Sequence, residues 1–220
     1  VVLVGNWAAL RYVDKAKDNG TGQDWHELKK AKAAPLFFIA FVFGITSAIY
    51  ISFAADHFAQ KGVSGVPTNA TPALVFIVYG IFGLVGLLTG RVRDAIGLVW
   101  LLRGLMVTAA ASLLLAAWFA GTWGGIISSA GLQGINVMMT SAVLAFWSER
   151  LFPSLPSLSF TATIMFMAAG SVFGPALAGS ISGNIGSNVM LYGAALISLA
   201  AAGLLRSKLV SDRPIGDSDD

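Results

Sequence analysis

The chain has 220 residues, of which 56% are hydrophobic and 11% are charged, and its net charge at pH 7 is +3. Soluble globular domains carry roughly 25% charged residues, so this composition, with a mean hydropathy of +0.76, excludes an ordinary soluble domain. The sequence contains no cysteine, which excludes disulfides and thiolate metal sites.

In chain order, residues 1–5 (VVLVG) are apolar and predict the last turn of an earlier membrane helix, so the sequence reads as part of a longer protein. Residues 6–33 are polar and basic and predict a cytoplasmic linker. A six-helix transmembrane bundle is predicted over 34–206, followed by a cytoplasmic tail over 207–220. The predicted spans within the bundle are 35–55, 72–90, 97–118, 123–147, 158–181 and 187–205.

The length and continuity of these six segments determine the expected fold class. About 20 apolar residues in a helix cross a hydrocarbon core roughly 30 Å thick. Inside a bilayer every backbone group must be paired within the protein, which leaves helices and closed barrels. Unbroken apolar runs do not fit the alternating pattern of a barrel strand. The sequence therefore predicts an all-α, polytopic membrane protein.

Basic residues are distributed very unequally between the two sides of the predicted spans. Of the 14 Lys and Arg residues, all except Lys61 and Arg103 lie on the side that holds 6–33, the turn at 91–96, the loop at 148–157 and the tail. Lys and Arg collect on the cytoplasmic side of membrane proteins, which predicts that both ends of this chain are cytoplasmic. Arg103 lies inside the third span, where we expect it to extend to the lipid headgroups or to pair with Glu149.

The turn between the second and third spans reads GRVRDAIG and carries three charges within four residues. We interpret it as a conformational-switch loop in which Gly90 lets a helix end against a neighbour and Gly97 allows tight packing. Asp94 is expected to accept a backbone N–H bond at the start of the next helix or to pair with Arg91 or Arg93. The alternative is a turn that only anchors the chain on one side of the membrane.

Two further motifs lie in the fourth and fifth spans. Residues 170–179 read GSVFGPALAG, in which small residues four apart would let two helix backbones touch and the proline would kink the helix. The members of this predicted helix-kink motif are Gly170, Gly174, Pro175 and Gly179. Residues 130–136 read AGLQGIN. Each motif by itself is common in helical bundles.

Together, these motifs resemble those of the major facilitator superfamily, in the right helices and in the right order. GRVRDAIG resembles the loop after the family's second and eighth helices, GSVFGPALAG the glycine–proline motif of its fifth and eleventh, and the Q-G pair a stretch of its fourth. The sequence departs from the family pattern at Ala95 and Ala130, where arginine is usual.

The resemblance covers essentially all 220 residues and implies the C-terminal half of a twelve-helix transporter. The spans would then be helices seven to twelve, arranged as two inverted three-helix repeats, 35–118 against 123–205. The first span is also similar to a bacterial branch of the family, which implies a bacterial inner membrane. In the family the cavity is lined by the first, second, fourth and fifth helices of each half.

Polar and aromatic side chains at bilayer depth are the candidates for contact with a substrate, because burying them in lipid is costly. The predicted substrate-cavity residues are Thr46, Tyr50, Tyr79, Gln133, Asn136 and Phe166. The two amides share a helix face and would either bind a polar substrate or hydrogen-bond between helices. Thr46 would otherwise bond its own backbone, whereas a buried tyrosine hydroxyl needs a partner.

The sequence therefore favours secondary transport of a small polar or amphipathic solute by alternating access. A membrane scaffold without transport is the alternative, and an enzyme is disfavoured because the two histidines lie outside the span interiors and no HExxH or GxSxG motif occurs. The expected partners are membrane lipid, the small-molecule substrate, and a missing N-terminal half or a second copy of the chain. Neither a cofactor, a metal nor nucleic acid is expected.

Overall fold

The structure is a computed structural model and describes residues 33–205 and Val210. In this part of the chain every regular element is a helix, apart from one isolated bridge between Val63 and Val66. Six helical segments are long and apolar enough to cross a membrane, which confirms the predicted all-α, polytopic membrane fold. The predictions for 1–5, 6–32 and the tail lie outside the described residues, except for Val210.

The six spans are named α1 to α6, and the second consists of two helices joined by a short 3₁₀ segment. Their bounds are α1 Ala34–Lys61, α2a Thr71–Gly83, the 3₁₀ segment Leu84–Leu88, α2b Thr89–Ile96, α3 Leu98–Phe119, α4 Trp123–Leu151, α5 Pro156–Ile185 and α6 Ser187–Leu204. Ala34, Gly97 and Leu204 belong to one end of the bundle, which we call the Arg93 end. Lys61 and Ile185 belong to the opposite end, which we call the Trp123 end.

Helix starts follow from local chemistry. Proline occupies the first turn of α1, α2a and α5, at Pro35, Pro72 and Pro156. Its missing N–H costs nothing there, because the first N–H groups of a helix have no intrahelical partner. At the start of α4, the Thr122 hydroxyl accepts a hydrogen bond from the Gly125 N–H at 3.0 Å, which is the usual N-cap arrangement.

Two single glycines connect consecutive spans. Gly97 lies between α2b and α3 with φ of 82°, and Gly186 lies between α5 and α6 with φ of 110°. Only glycine adopts such angles without steric cost. No atom would lie within 4 Å of a Cβ at Gly97, so the prediction that this glycine permits tight packing is wrong. Its function in the fold is the sharp backbone turn.

Neighbouring helices follow a two-fold pattern. The helix α1 packs against α5, and α4, the first helix of the second repeat, packs against α2a. The third helix of each repeat, α3 and α6, pack against each other. Exchanging 34–119 with 123–204 reproduces these pairs, as expected for two three-helix repeats that cross the membrane in opposite directions.

Glycines make the closest of these contacts in both repeats. A Cβ at Gly44 of α1 would overlap the carbonyl oxygen of Met167 and lie 3.1 Å from the Ser171 nitrogen. A Cβ at Gly134 of α4 would overlap the carbonyl oxygen of Tyr79 and lie 3.1 Å from the backbone nitrogen four residues later. The two helix pairs therefore cross in the same way, backbone against backbone, as small residues permit in membranes.

We expect Gly44→Ala and Gly134→Ala to lower the thermal unfolding midpoint of the protein in detergent. Each added methyl group meets a backbone carbonyl that cannot rotate away, and overpacking of this kind costs about 1–3 kcal/mol. Gly193→Ala, at an exposed position of α6, is the matched control, since a Cβ there has no atom within 4 Å, and alanine is favoured over helical glycine by about 0.5–1 kcal/mol. Equal midpoints for all three variants would contradict the packing account.

Candidate functional site

Buried hydroxyl groups join α1, α3 and α4 between the middle of the bundle and its Trp123 end. Ser112 donates its hydroxyl proton to the Ser129 carbonyl at 2.8 Å, and Ser129 donates to the Ser112 carbonyl at the same distance. The Tyr50 hydroxyl oxygen lies 3.0 Å from Ser129 Oγ. Because the Ser129 proton is already directed at a carbonyl, Tyr50 is the donor in this third bond. We call these three residues the serine clamp.

The clamp satisfies the expectation that Tyr50 has a hydrogen-bond partner. Its two serines were not among the residues singled out in the sequence, although both are fully buried. Serine in a membrane helix usually bonds its own backbone four residues earlier, so their reach to another helix has no signature in the sequence. Only the crossing of α3 and α4 brings the two hydroxyls together.

The two amides of α4 lie further along the same helix and are completely buried. Asn136 accepts a hydrogen bond from the Thr140 hydroxyl at 3.2 Å. Among the described residues, the side-chain nitrogen of Asn136 and both polar atoms of Gln133 have no hydrogen-bond partner. The structure therefore places the amides inside the six-helix unit rather than on its surface.

The other predicted cavity residues differ in how far they are buried. Thr46 is fully buried and donates to the Val42 carbonyl at 3.1 Å, which is the backbone bond expected of it. Tyr79 is half-buried on α2a. Phe166 is 44% exposed on α5 and stacks on Phe37 with ring centroids 4.8 Å apart. In this conformation the six residues do not line one open cleft, and their contact with a substrate stays a prediction.

The GRVRDAIG segment was predicted to be a turn and is instead mostly helical. The helix α2b extends through Ile96, so residues 91–96 continue the second span after its 3₁₀ segment. The prediction of a short turn here was wrong because the charges indicated a loop, whereas arginine is an acceptable helix former. A 3₁₀ stretch inside a helix often marks a hinge.

Within this segment, Asp94 pairs with Arg93, one of its two predicted partners. Asp94 Oδ1 accepts from Arg93 Nη2 at 2.7 Å and from Nε at 3.0 Å. The same guanidinium lies 5.3 Å from the ring centre of Phe146 on α4, within the range of a cation–π contact. The start of α3 has no side-chain cap, so Asp94 pairs with Arg93 and does not cap α3.

A Cβ at Gly90 would meet no neighbour, so Gly90 makes no close helix contact.

The GSVFGPALAG segment brings α5 against the backbone of α1. A Cβ at Gly170 would overlap the Phe41 carbonyl oxygen, and one at Gly174 would lie 2.8 Å from the Ile45 carbonyl oxygen. A Cβ at Gly179 would have its nearest neighbour at 3.8 Å, an ordinary contact. The helix continues through Pro175, which removes one backbone bond, and the predicted kink stays a prediction.

Arg103 has a partner that the sequence analysis did not anticipate. Its Nε donates to the carbonyl of Leu205, just beyond the end of α6, at 2.7 Å. Its guanidinium lies 5.1 Å from the ring centre of Trp100. The last carbonyls of a helix lack intrahelical donors, so Arg103 supplies one from α3 and does not pair with Glu149.

We expect Ser129→Ala to destabilise the protein more than Tyr50→Phe does. The first change leaves the Tyr50 hydroxyl buried without its acceptor, at a cost of about 1–3 kcal/mol, whereas the second leaves both serine bonds in place. Unfolding of each variant and of the double variant in detergent would measure this. The double variant should cost less than the sum of the single changes, because both remove the same bond. Additive losses would show that Tyr50 does not depend on Ser129.

Comparison with known proteins identifies the family. No curated protein matches the sequence. The sequence model of the Major Facilitator Superfamily matches residues 12–218, which is nearly the whole chain. This match agrees with the six spans and with the glycine contacts that relate the two repeats. The chain is therefore an integral, multi-pass membrane protein that belongs to the major facilitator superfamily of membrane transporters.

Proposed function

We propose that this chain acts as the C-terminal half of a secondary transporter, which carries a small polar or amphipathic solute across the membrane by alternating access. A second six-helix unit, the N-terminal half, would dock on it and complete the cavity. We further propose that both ends of the chain lie in the cytoplasm, as the distribution of basic residues favours. The resemblance of the first span to a bacterial branch of the family supports placing the chain in a bacterial inner membrane.

The observation that carries this proposal is the exposure of the second and fifth spans. In each of them only 17% of the most apolar stretch is buried, against 39–56% in the other four spans. These two spans occupy equivalent positions in the two repeats. The exposed side chains include Leu84, 63% exposed, and Val172, 70% exposed. A shared open side of this kind suits a partner unit that packs across both helices.

The distribution of charge supports an uncharged or amphipathic solute. In the described spans, charged side chains lie near the helix ends, as with Asp56 and Lys61 at the Trp123 end and Glu149 and Arg150 at the Arg93 end. The exception is Arg103, the sixth residue of α3, whose Nε donates to the Leu205 carbonyl. The middle of the unit offers amides, hydroxyls and aromatic rings. If transport is coupled to protons, the titrating group would lie in the other half.

A membrane scaffold without transport is the second candidate. The observation that favours it is that Thr46 and Tyr50 already bond to groups inside the unit. Side chains that hold helices together in this way need no substrate. The two candidates differ in what they require of the open side formed by α2 and α5, because only a transporter needs a partner that moves against it.

Cysteine cross-linking in native membranes would test the docking side. These 220 residues contain no cysteine, so each reporter is the single cysteine of this six-helix unit. We expect Leu84→Cys and Val172→Cys to form oxidative cross-links to a partner chain carrying cysteines, or to a second copy of this chain. Leu196→Cys on α6, 67% exposed, is the control, because it is equally accessible but does not belong to α2 or α5. Cross-linking at Leu196 but not at Leu84 or Val172 would contradict the proposed docking side.

We also expect Asp94→Ala to impair transport more than folding. Loss of the carboxylate removes the Oδ1 atom that accepts two hydrogen bonds from the Arg93 guanidinium and loosens the position of that guanidinium over Phe146, where α2b contacts α4. Uptake of labelled sugars, polyols and amino acids by cells that express the intact transporter would be compared with the amount of protein in the membrane. Unchanged uptake in Asp94→Ala would reduce the segment to an anchor.

A further inference from the structure

One turn of α4, next to the serine clamp, carries hydrogen-bonding groups that the bundle does not use. Gln133 is completely buried, and neither its Nε2 nor its Oε1 has a partner among the described residues. Asn136 is equally buried and leaves its Nδ2 unpartnered. Leaving a buried polar group unsatisfied costs about 1–3 kcal/mol. A ligand that forms the missing hydrogen bonds with this turn would therefore bind favourably.

Neighbouring polar groups on the same face already have their own partners. The Ser129 hydroxyl is held by the serine clamp, and the Thr140 hydroxyl donates to Asn136. Since α1 and α4 run in opposite directions and Tyr50 meets Ser129, Thr46 lies about level with Gln133. The Thr46 proton points to a carbonyl of its own helix. Thr46 of α1 therefore does not donate a hydrogen bond to the Gln133 oxygen.

The unused groups define the chemistry of what would bind. Each amide nitrogen offers two N–H donors, and the Gln133 oxygen is an acceptor. A hydroxyl group matches this set, because its oxygen accepts from the N–H groups while its proton is donated to the acceptor. An ion does not match, because Arg103, the described charged side chain furthest inside a span, bonds to the Leu205 carbonyl at the Arg93 end, and a buried charge without a counter-charge is strongly unfavourable.

We propose that Gln133 and Asn136 form a binding site for an uncharged hydroxyl group inside the six-helix unit. Two sources share this chemistry, a resident water molecule and a hydroxyl group of a neutral polyol. The site lies within one half of the transporter, between helices of the same unit. Its polyol form rests on the proposed transport function, whereas its water form is independent of it.

The sequence allows a direct test, because it contains three glutamines, Gln23, Gln60 and Gln133. The full chain, labelled with ¹⁵N only at glutamine side chains, would be reconstituted in liposomes for solid-state NMR. Gln133→Met identifies the buried signal by its loss. If that variant fails to fold, Gln60→Glu and Gln23→Glu identify it by elimination. Gln60 is exposed and bonds to Asp56, so it serves as the hydrated control.

Transfer of magnetisation from water is measured first, and ¹³C-labelled glycerol is then added. We expect the Gln133 side-chain amide to receive magnetisation from water as Gln60 does, in spite of its complete burial. Contact with water alone identifies water as the ligand, and a ¹⁵N–¹³C contact with glycerol identifies a polyol hydroxyl. If Gln133 contacts neither water nor glycerol while Gln60 is hydrated, the proposal is overturned.

The same preparations separate this inference from the proposed transport function. Uptake of labelled polyols and sugars into cells, together with a Gln133 amide that contacts neither probe, overturns the site and leaves transport standing. A hydrated Gln133 in a protein that shows no uptake and no cross-linked partner supports the site and removes the transport proposal.

Discussion

The arrangement of this unit depends on two places where helix backbones touch. Gly44 lies against the backbone of α5 and Gly134 against the backbone of α2a, each meeting a carbonyl oxygen that leaves no room for a side chain. In a bilayer, apolar side chains gain little by leaving lipid for protein, so close backbone packing supplies much of the association between helices. These two contacts fix the pairs α1–α5 and α2a–α4.

The equivalence of these contacts explains why the polar groups occupy two distinct environments. With α1 and α4 each held against a partner on one side, their opposite faces meet each other and α3 in the interior. The serine clamp and the two amides lie on that interior face. Tyr79 and Phe166 belong to the outer helices of the pairs, where Tyr79 is partly buried and Phe166 is 44% exposed. The two glycine contacts thus place the hydrogen-bonded polar groups in the interior and leave α2 and α5 on the surface that we propose for a partner.

The segment after α2a shows a different balance of forces. Three charges within four residues are compatible with a helix when the charged side chains make favourable contacts. Arg93 has both Asp94 and the ring of Phe146 within reach, and α2b ends where Gly97 turns the chain. The 3₁₀ segment between α2a and α2b lies beside α4, where a Cβ at Gly86 would come within 2.6 Å of the Met138 side chain. Helix α4 therefore contacts both parts of the second span.

The sequence alone determined the number of spans, the all-α class and the family, because hydrophobic length is a local property and bilayer thickness sets its scale. It also indicated the close approach at Gly170 and Gly174, since spacing by four places small residues on one helix face. It failed for the helical form of residues 91–96, where charge suggested a turn. Hydrogen-bond partners across helices were decided only by the tertiary structure. Ser112, Ser129 and the Leu205 carbonyl have no local signature, because each acquires its partner from another helix.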